Sequence, residues 1–250
     1  MTADRRHTQT ADAFISEDLR QMQLAPRYAA WLFRLIEPFL GTRVLEVGCG
    51  IGAITEKLLA RAEHVVGIEP NEACRRELAA RLGANPRFHC LAATLEACAP
   101  GVLAAHRVDT IVLVNVLEHI ADDGAMMRRL AALARPAARI VLIVPAGPSV
   151  YGPIDRAVGH FRRYSRASLS ALFAQAGLAP ERLRYSNLAG LLGWGYNSRL
   201  RRRVTQSNGQ IRLFDRLVPV LAAVERVVPP PRGMSLLGVA RPSVEAPDVR

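Results

Sequence analysis

The sequence predicts an α/β fold with a doubly wound, mostly parallel sheet, and three observations carry that expectation. The run Arg43-Val44-Leu45-Glu46-Val47-Gly48-Cys49-Gly50-Ile51-Gly52-Ala53-Ile54 passes from a β-branched strand through three alternating glycines into the helix-prone stretch 54–60. Strand and helix patterns then alternate, which places helices on both faces of a parallel sheet. Asp109-Thr110-Ile111-Val112-Leu113-Val114-Asn115 carries the apolar run Ile111–Val114, as a central strand buried on both faces requires.

The elements follow in order. Residues 1–12 are polar and aperiodic and are expected to be disordered. Residues 13–241 read as one domain and residues 242–250 as a loose tail. From Ile15 to Leu40 apolar residues recur at helical spacing, with Ser16-Glu17-Asp18 as a start signal and Pro26 as an interruption. Two short helices are therefore expected, with Tyr28 and Trp31 on the second. The alternation runs strand 43–48, helix 52–61, strand 64–69, helix 71–82, strand 87–91. After the fourth strand come Val116-Leu117-Glu118-His119-Ile120, a helix at 122–134 capped by Asp122 or Asp123, and a fifth strand at 138–144 stopped by Pro145.

Residues 145–164 have no clear period and carry two X-Pro turns, too long a link for an ordinary connection, so a lid or substrate-binding loop is expected. Ser165 caps a helix at 169–176, Gly177 ends it, and 182–185 form the sixth strand. The seventh strand is expected at 235–240. Between them lies an insertion, 187–233, with the apolar segment Leu188–Asn197, the basic run Arg199-Leu200-Arg201-Arg202-Arg203, and an amphipathic helix from Ile211 to Val228 closed by Pro229-Pro230-Pro231.

Half of the 250 residues are apolar, enough to bury a full core in one domain with appendages. The formal net charge is +11, and Lys57 is the only lysine. Ten arginines and one acid, Glu181, lie between Arg156 and Arg203, a positive stretch suited to anionic substrates, a membrane surface or nucleic acid. Cys49, Cys74, Cys90 and Cys98 lack metal-like spacing and no histidine pair completes a zinc site, so a reduced, metal-free protein is expected. No stretch approaches the ~20 apolar residues that span a bilayer, and the polar N-terminus is unlike a secretion signal. A cytoplasmic location follows as the expectation.

Glycines at alternate positions allow a tight turn and let a ligand lie against backbone N–H groups. Gly48-x-Gly50-x-x-Ala53 also satisfies the relaxed dinucleotide fingerprint, so a nicotinamide cofactor stays open on spacing alone. Glu46 precedes the first glycine by two residues, and Glu69 closes the next strand where a ribose would lie. The runs VLEVGCGIGAIT and VVGIEP resemble the first two motifs of the class I S-adenosylmethionine-dependent methyltransferases. NVLEHI resembles the fourth motif of the ubiquinone- and menaquinone-type members, and YGPIDRAVGHFRRYS resembles a loop of a bacterial subgroup often encoded beside glycosyltransferases.

That resemblance implies a seven-stranded, Rossmann-like sheet with an antiparallel last strand, N-terminal helices and a helical insertion between the sixth and seventh strands. It implies S-adenosylmethionine as cofactor, with Glu46, Gly48, Gly50 and Gly52 along its methionine part and Glu69 on the ribose hydroxyls. Ala93-Thr94 stands where many members carry an acid, which passes adenine recognition to backbone groups and Thr94. Tyr28, on a helix that closes over the cofactor, and Asn115, at the end of the fourth strand, complete the cofactor set. His119 and His160 are the candidate bases; Glu118, Arg162, Arg163 and Tyr164 are the candidate substrate contacts. A polar capped turn at 118–119 and a loop pinned to the sheet by His160 and its arginines are the structural alternatives.

The resulting expectation is methyl transfer to a small-molecule, glycosidic or lipid-like acceptor, with O-methylation favoured. The rivals are an NAD(P)-dependent oxidoreductase, a nucleic-acid methyltransferase and a non-catalytic binding protein. Asn115-Val116-Leu117-Glu118 replaces the Asn/Asp-Pro-Pro-Tyr/Phe motif usual in base-targeting members, which disfavours nucleic acid. The segment 188–228 has the composition of an interfacial membrane contact, and a lid or dimer surface shares that composition. Oligomeric state is left open.

Overall fold

The computed structural model describes residues 23–95, 97–98, 105–195 and 208–243. The expectations for residues 1–12, for the first N-terminal helix, for the basic run 199–203 and for residues 244–250 lie outside the described residues.

Helix α1 (Pro26–Ile36) starts on a proline, whose missing N–H costs nothing in a first turn. The core alternation is β1 (Arg43–Val47), α2 (Thr55–Arg61), β2 (His64–Ile68), α3 (Glu72–Leu82), β3 (Phe88–Leu91), β4 (Thr110–Val114), α4 (Asp123–Leu133) and β5 (Arg139–Pro145). Then come α5 (Pro153–Ala157), α6 (Arg166–Gln175), β6 (Leu178–Ser186), α7 (Leu188–Gly195), α8 (Asn208–Val227) and β7 (Ser235–Pro242). The sheet order is β3-β2-β1-β4-β5-β7-β6. β1 to β5 are parallel, and β7 runs antiparallel to both of its neighbours.

Alternate residues of each central strand feed opposite faces. Leu45, Ile111, Ile140 and Leu142 join Met127 and Leu130 of α4 and Phe173 of α6 in one core. Val44, Val65, Val112 and Val141 join Leu58 of α2 and Phe33 and Ile36 of α1 in the other. Period-2 side-chain geometry makes this division, and the apolar runs of the sequence are its cause.

Several boundaries differ from expectation, among them the starts of α6, at Arg166 instead of residue 169, and of α8, at Asn208 instead of Ile211. Helix α2 begins at Thr55 instead of residue 52, because Gly52 sits at φ 91, outside the helical region. Strand β6 is four residues longer at its start and includes Pro180; it lies at the sheet edge, where a missing N–H is tolerated, and a bulge falls between Pro180 and Arg182. Pro145 ends β5 from within, paired with Ser235, and β7 reaches Pro242, inside the expected tail. Segment 145–164 is partly regular, with a 3₁₀ turn at Pro148–Val150, the short α5, and a bridge between Ala146 and Tyr164.

The amino-terminal edge of the sheet is clamped by one carboxylate. Asp109 accepts the backbone N–H groups of Thr42 (2.8 Å) and Arg43 (3.0 Å) and the Thr110 hydroxyl (2.9 Å). Thr110 in turn accepts the Gly41 N–H at 2.8 Å. Asp109→Ala strands these donors and is expected to cost about 2 kcal/mol, read as a lowered midpoint in urea with an unchanged slope.

Candidate functional site

Parallel strands bring their carboxyl ends to one edge, where ligands of open α/β sheets bind. At the end of β1, Gly48, Gly50 and Gly52 all have positive φ, at 73°, 52° and 91°. A Cβ on Gly48 would come within 2.6 Å of the Val116 side chain, so the loop from β1 lies directly against the turn after β4. Gly48 N donates to the Ile68 carbonyl at 2.8 Å, and Gly50 N donates to Glu69 Oε2 at 2.7 Å. The other Glu69 oxygen accepts Asn71 N at 2.8 Å, while the Asn71 side chain caps α3 through Cys74 N. Glu69 N donates to the Leu91 carbonyl at 3.2 Å, which sets the end of β3, and Thr94 beyond it, beside the same carboxylate. Thr94 is exposed, and its Oγ accepts Ala97 N at 3.4 Å.

Glu46 is buried and faces α2. Its Oε2 accepts the Thr55 hydroxyl at 2.6 Å, so it anchors the first turn after the glycine loop. Burial pushes its pKa up to about 7, with the neighbouring Glu69 adding to the rise.

The second half of the site is the turn after β4 and the segment that folds over it. Asn115 is exposed at φ 54, and its N–H donates to the Ile143 carbonyl. Glu118 is 0 % exposed, and neither carboxylate oxygen has a hydrogen-bond partner among the described residues. Burial raises its pKa to about 8, against the pull of Arg163. His160, from the segment after β5, places Nε2 3.9 Å from Glu118 Oε1 and Nδ1 3.0 Å from Asp155 Oδ1. The His119 ring lies edge-on to it, centroids 4.8 Å apart.

Asp155 is the hub. Its carboxylate takes His160, the Arg163 Nε at 2.7 Å and Gly152 N at 2.9 Å. Burial works to raise its pKa, but the His160 hydrogen bond and the Arg163 charge outweigh it and leave the group below the ordinary range. His119 is held neutral, its pKa lowered to about 4 by burial and by His160. A group that reluctant to take a proton is a weak base at neutral pH, so His160 is the stronger of the two candidates.

The three expected substrate contacts after His160 are corrected. Arg163 is buried between Asp155, the Ala146 carbonyl and the Trp194 ring, with its guanidinium 4.6 Å above that ring. Tyr164 is 3 % exposed and donates to Asp123 Oδ2 at 2.8 Å. Arg162 pairs with Asp123 and the Ala121 carbonyl. Arg162 and Tyr164 fasten the segment to the turn after β4 and the start of α4, and Arg163 fastens it to the end of β5. Tyr28 contributes from α1: its hydroxyl is 3.2 Å from Ser235 Oγ, and its ring packs on Phe214 of α8.

Three groups that the sequence does not bring together lie close enough to hold a metal ion. Glu118, His119 and His160 each offer one ligand atom, all within 4.8 Å of one another. Sequence spacing hid this triad because His160 is forty-one residues from His119 and arrives only when the segment folds back. Asp155 was missed as well; its only sequence signal is an acid shortly after Gly152-Pro153, at the start of a short helix.

The methyltransferase domain family matches residues 19–183. The chain belongs to that family. It is of the class I, S-adenosylmethionine-dependent kind and of the ubiquinone-methyltransferase-like type. Ubiquinone biosynthesis O-methyltransferase of Aeromonas salmonicida is 26 % identical over 141 residues, covering 52 % of this chain and 54 % of that protein. The same enzyme of Ralstonia nicotianae is 29 % identical over 173 residues, covering 61 % and 71 %. The chain thus spans about half the length of the Aeromonas relative. The Burkholderia thailandensis 1,6-didemethyltoxoflavin-N1-methyltransferase, solved with S-adenosylhomocysteine, shares the fold at a TM-score of 0.56 and 18 % identity, over 97 % of this chain and 92 % of that one.

The family's cofactor, S-adenosylmethionine, fits the donor set at the sheet edge. A nucleoside diol presents two O–H donors, and the Glu69 carboxylate is an acceptor at the strand end beside the glycine loop. The glycine loop supplies the close backbone approach on the same side.

A pH dependence follows from the raised carboxyls. Folded Glu46 and Glu118 keep protons that the unfolded chain releases from its ordinary 4.5, so stability falls as pH rises towards their folded values of about 7 and 8. His119 acts in the opposite sense, but only between about 4 and its ordinary 6.5. Between pH 6.5 and 8 His119 no longer contributes and the two carboxyls lower stability as pH rises, opposed by the Cys90 thiol, which its hydrogen bond with Cys49 holds below the ordinary thiol range. Melting temperature measured with a chelator present should therefore decline over that window, and Glu118→Gln should flatten the decline; an equal slope in the variant would place the proton elsewhere.

Proposed function

We propose that this chain transfers the methyl group of S-adenosylmethionine to a hydroxyl of a small-molecule, glycosidic or lipid-like acceptor. The observation that carries the reading is the Asp155–His160 pair aimed across buried Glu118, over the turn that abuts the glycine loop. The cofactor supplies an activated methyl carbon. The residues must place an acceptor oxygen about 3 Å from that carbon, opposite the sulfur, and this orientation accounts for most of the acceleration.

A hydroxyl loses its proton as the new C–O bond forms and the C–S bond breaks, its electrons passing to sulfur. His160 takes that proton on Nε2, with Asp155 holding Nδ1 and stabilising the imidazolium that results. Glu118, protonated at neutral pH, lines the same space and donates to the acceptor. Glu69 holds the ribose diol, Gly48, Gly50 and Gly52 pass the methionine part, Thr94 and Asn115 flank the nucleoside, and Tyr28 closes the wall beside Ser235. Glu46 supports the loop through Thr55.

The orphaned oxygens of Glu118 favour one second reading, in which a divalent cation on Glu118, His119 and His160 binds the acceptor hydroxyl and lowers its pKa. Chelation followed by return of magnesium, manganese or zinc separates the readings. Activity that survives chelation supports the base; activity restored only by metal supports the ion.

Two outcomes are expected of labelled cofactor offered with fractions of hydroxylated small molecules, glycosides and lipids. One fraction takes up label at oxygen, and His160→Ala lowers its kcat by roughly 10²–10⁴ while cofactor affinity is kept. Saturating S-adenosylhomocysteine at ~100 times its Kd should stabilise the fold by about 2.7 kcal/mol. Glu69→Ala should abolish most of that gain, and an undiminished gain would put the ribose elsewhere.

A further inference from the structure

Helix α8 has two apolar faces. Ile211, Asp215, Val218 and Glu225 are buried against the rest of the protein. On the opposite side Leu213, Leu217, Val220, Val224 and Val227 recur at steps of four, three, four and three residues, all between 50 % and 81 % exposed. At about 100° per residue these five fall within an arc of about 80°, and at about 1.5 Å per residue they form a stripe about 21 Å long. Val228 continues it, also exposed, and on α7 Leu188 and Leu192 are exposed as well. Among the described residues the stripe stays exposed along its whole length, and a contiguous exposed patch of that kind marks an interaction surface.

Charge selects the occupant. The two acids of α8, Asp215 and Glu225, are both 7 % exposed and spent inward: Asp215 accepts Tyr28 N, and Glu225 accepts the N–H groups of Asn187 and Leu188. Arg212, Arg216 and Arg226 are exposed and lie together along one flank of the stripe. Every exposed charge of this helix is therefore positive. The sequence just before it adds Arg199, Arg201, Arg202 and Arg203. An antiparallel second copy about a two-fold axis would set each flank against itself and bring arginine to arginine.

We infer that the outer face of α8 docks on an anionic lipid surface, with the leucine and valine stripe in the acyl boundary and the arginine flank among the headgroup phosphates. An exposed apolar stripe beside arginines is the arrangement that binds in the plane of an interface. No helix among the described residues is long and apolar enough to cross a membrane, so the contact is one of lying on the surface. The inner face of the same helix touches Tyr28, whose hydroxyl meets Ser235 at the candidate site. Docking thereby sets one wall of the site beside the bilayer, where a lipid-like acceptor resides. The surface itself does not depend on which acceptor is methylated.

The test is flotation of the full chain with vesicles of phosphatidylcholine alone and of phosphatidylcholine mixed with phosphatidylglycerol. Binding to the anionic vesicles only, weakened by salt, is expected. Leu217→Asp with Val220→Asp should abolish it, and Arg212→Gln with Arg216→Gln should lower partitioning on the order of tenfold or more. Both pairs are exposed, so the thermal shift given by S-adenosylhomocysteine should stay as in the parent protein; that control reads the cofactor site separately from the surface. Failure to float with any vesicle, or flotation untouched by the aspartates, would overturn the inference. So would a concentration-dependent dimer that the aspartates dissolve, which would give the stripe to a second copy.

Discussion

The Glu69 carboxylate is the constraint on which the site depends. It takes a backbone N–H from the glycine loop and another from the start of α3, and its own N–H reaches the end of β3. Three chain segments are thus tied at one anion. Only a backbone turned to positive φ at Gly50 can aim its N–H there, which is why a glycine stands at that position. Under the proposed function the nucleoside diol takes the same carboxylate, so one group would both organise the loop and hold the ligand.

A second anion, Asp155, does for the segment after β5 what Glu69 does for the loop. Buried carboxylates are stable only when paired and hydrogen-bonded, and Asp155 has His160, Arg163 and Gly152 N for that purpose. Glu118 is the contrast: equally buried, within 4 Å of His160, and without a hydrogen bond on either oxygen among the described residues. Two carboxyls on opposite sides of one imidazole are thereby driven in opposite directions, one kept ionised and one kept protonated. Such separation of neighbouring acids marks a site built for moving a proton or holding a cation.

The alternation of strands and helices and the parallel centre of the sheet were legible in the chain, because they rest on short-range periodicity and on the chirality of parallel crossovers, while the antiparallel last strand followed from the family resemblance. The glycine loop and Glu69 were legible for a related reason: local backbone conformation and a fixed strand length put them at one edge. The roles of Arg162, Arg163 and Tyr164 were not. A sequence shows that arginines are present but not that Asp155 and Asp123, on other turns, will claim them. His119 likewise has the residue type of a base, and only its burial beside His160 shows that its pKa is lowered.

What the sequence by itself determined is everything governed by local rules: which stretches are strands, where glycines let the backbone turn tightly, which family motif closes the second strand, and that an amphipathic helix lies between the last two strands. What only the tertiary structure decided is which charged groups meet. The Asp155–His160–Glu118 cluster, the capture of the loop arginines and the inward turn of Asp215 and Glu225 all join residues from separate segments. The pairing of buried charge is a long-range energy, fixed by the order in which elements pack, and no window of neighbouring residues contains it.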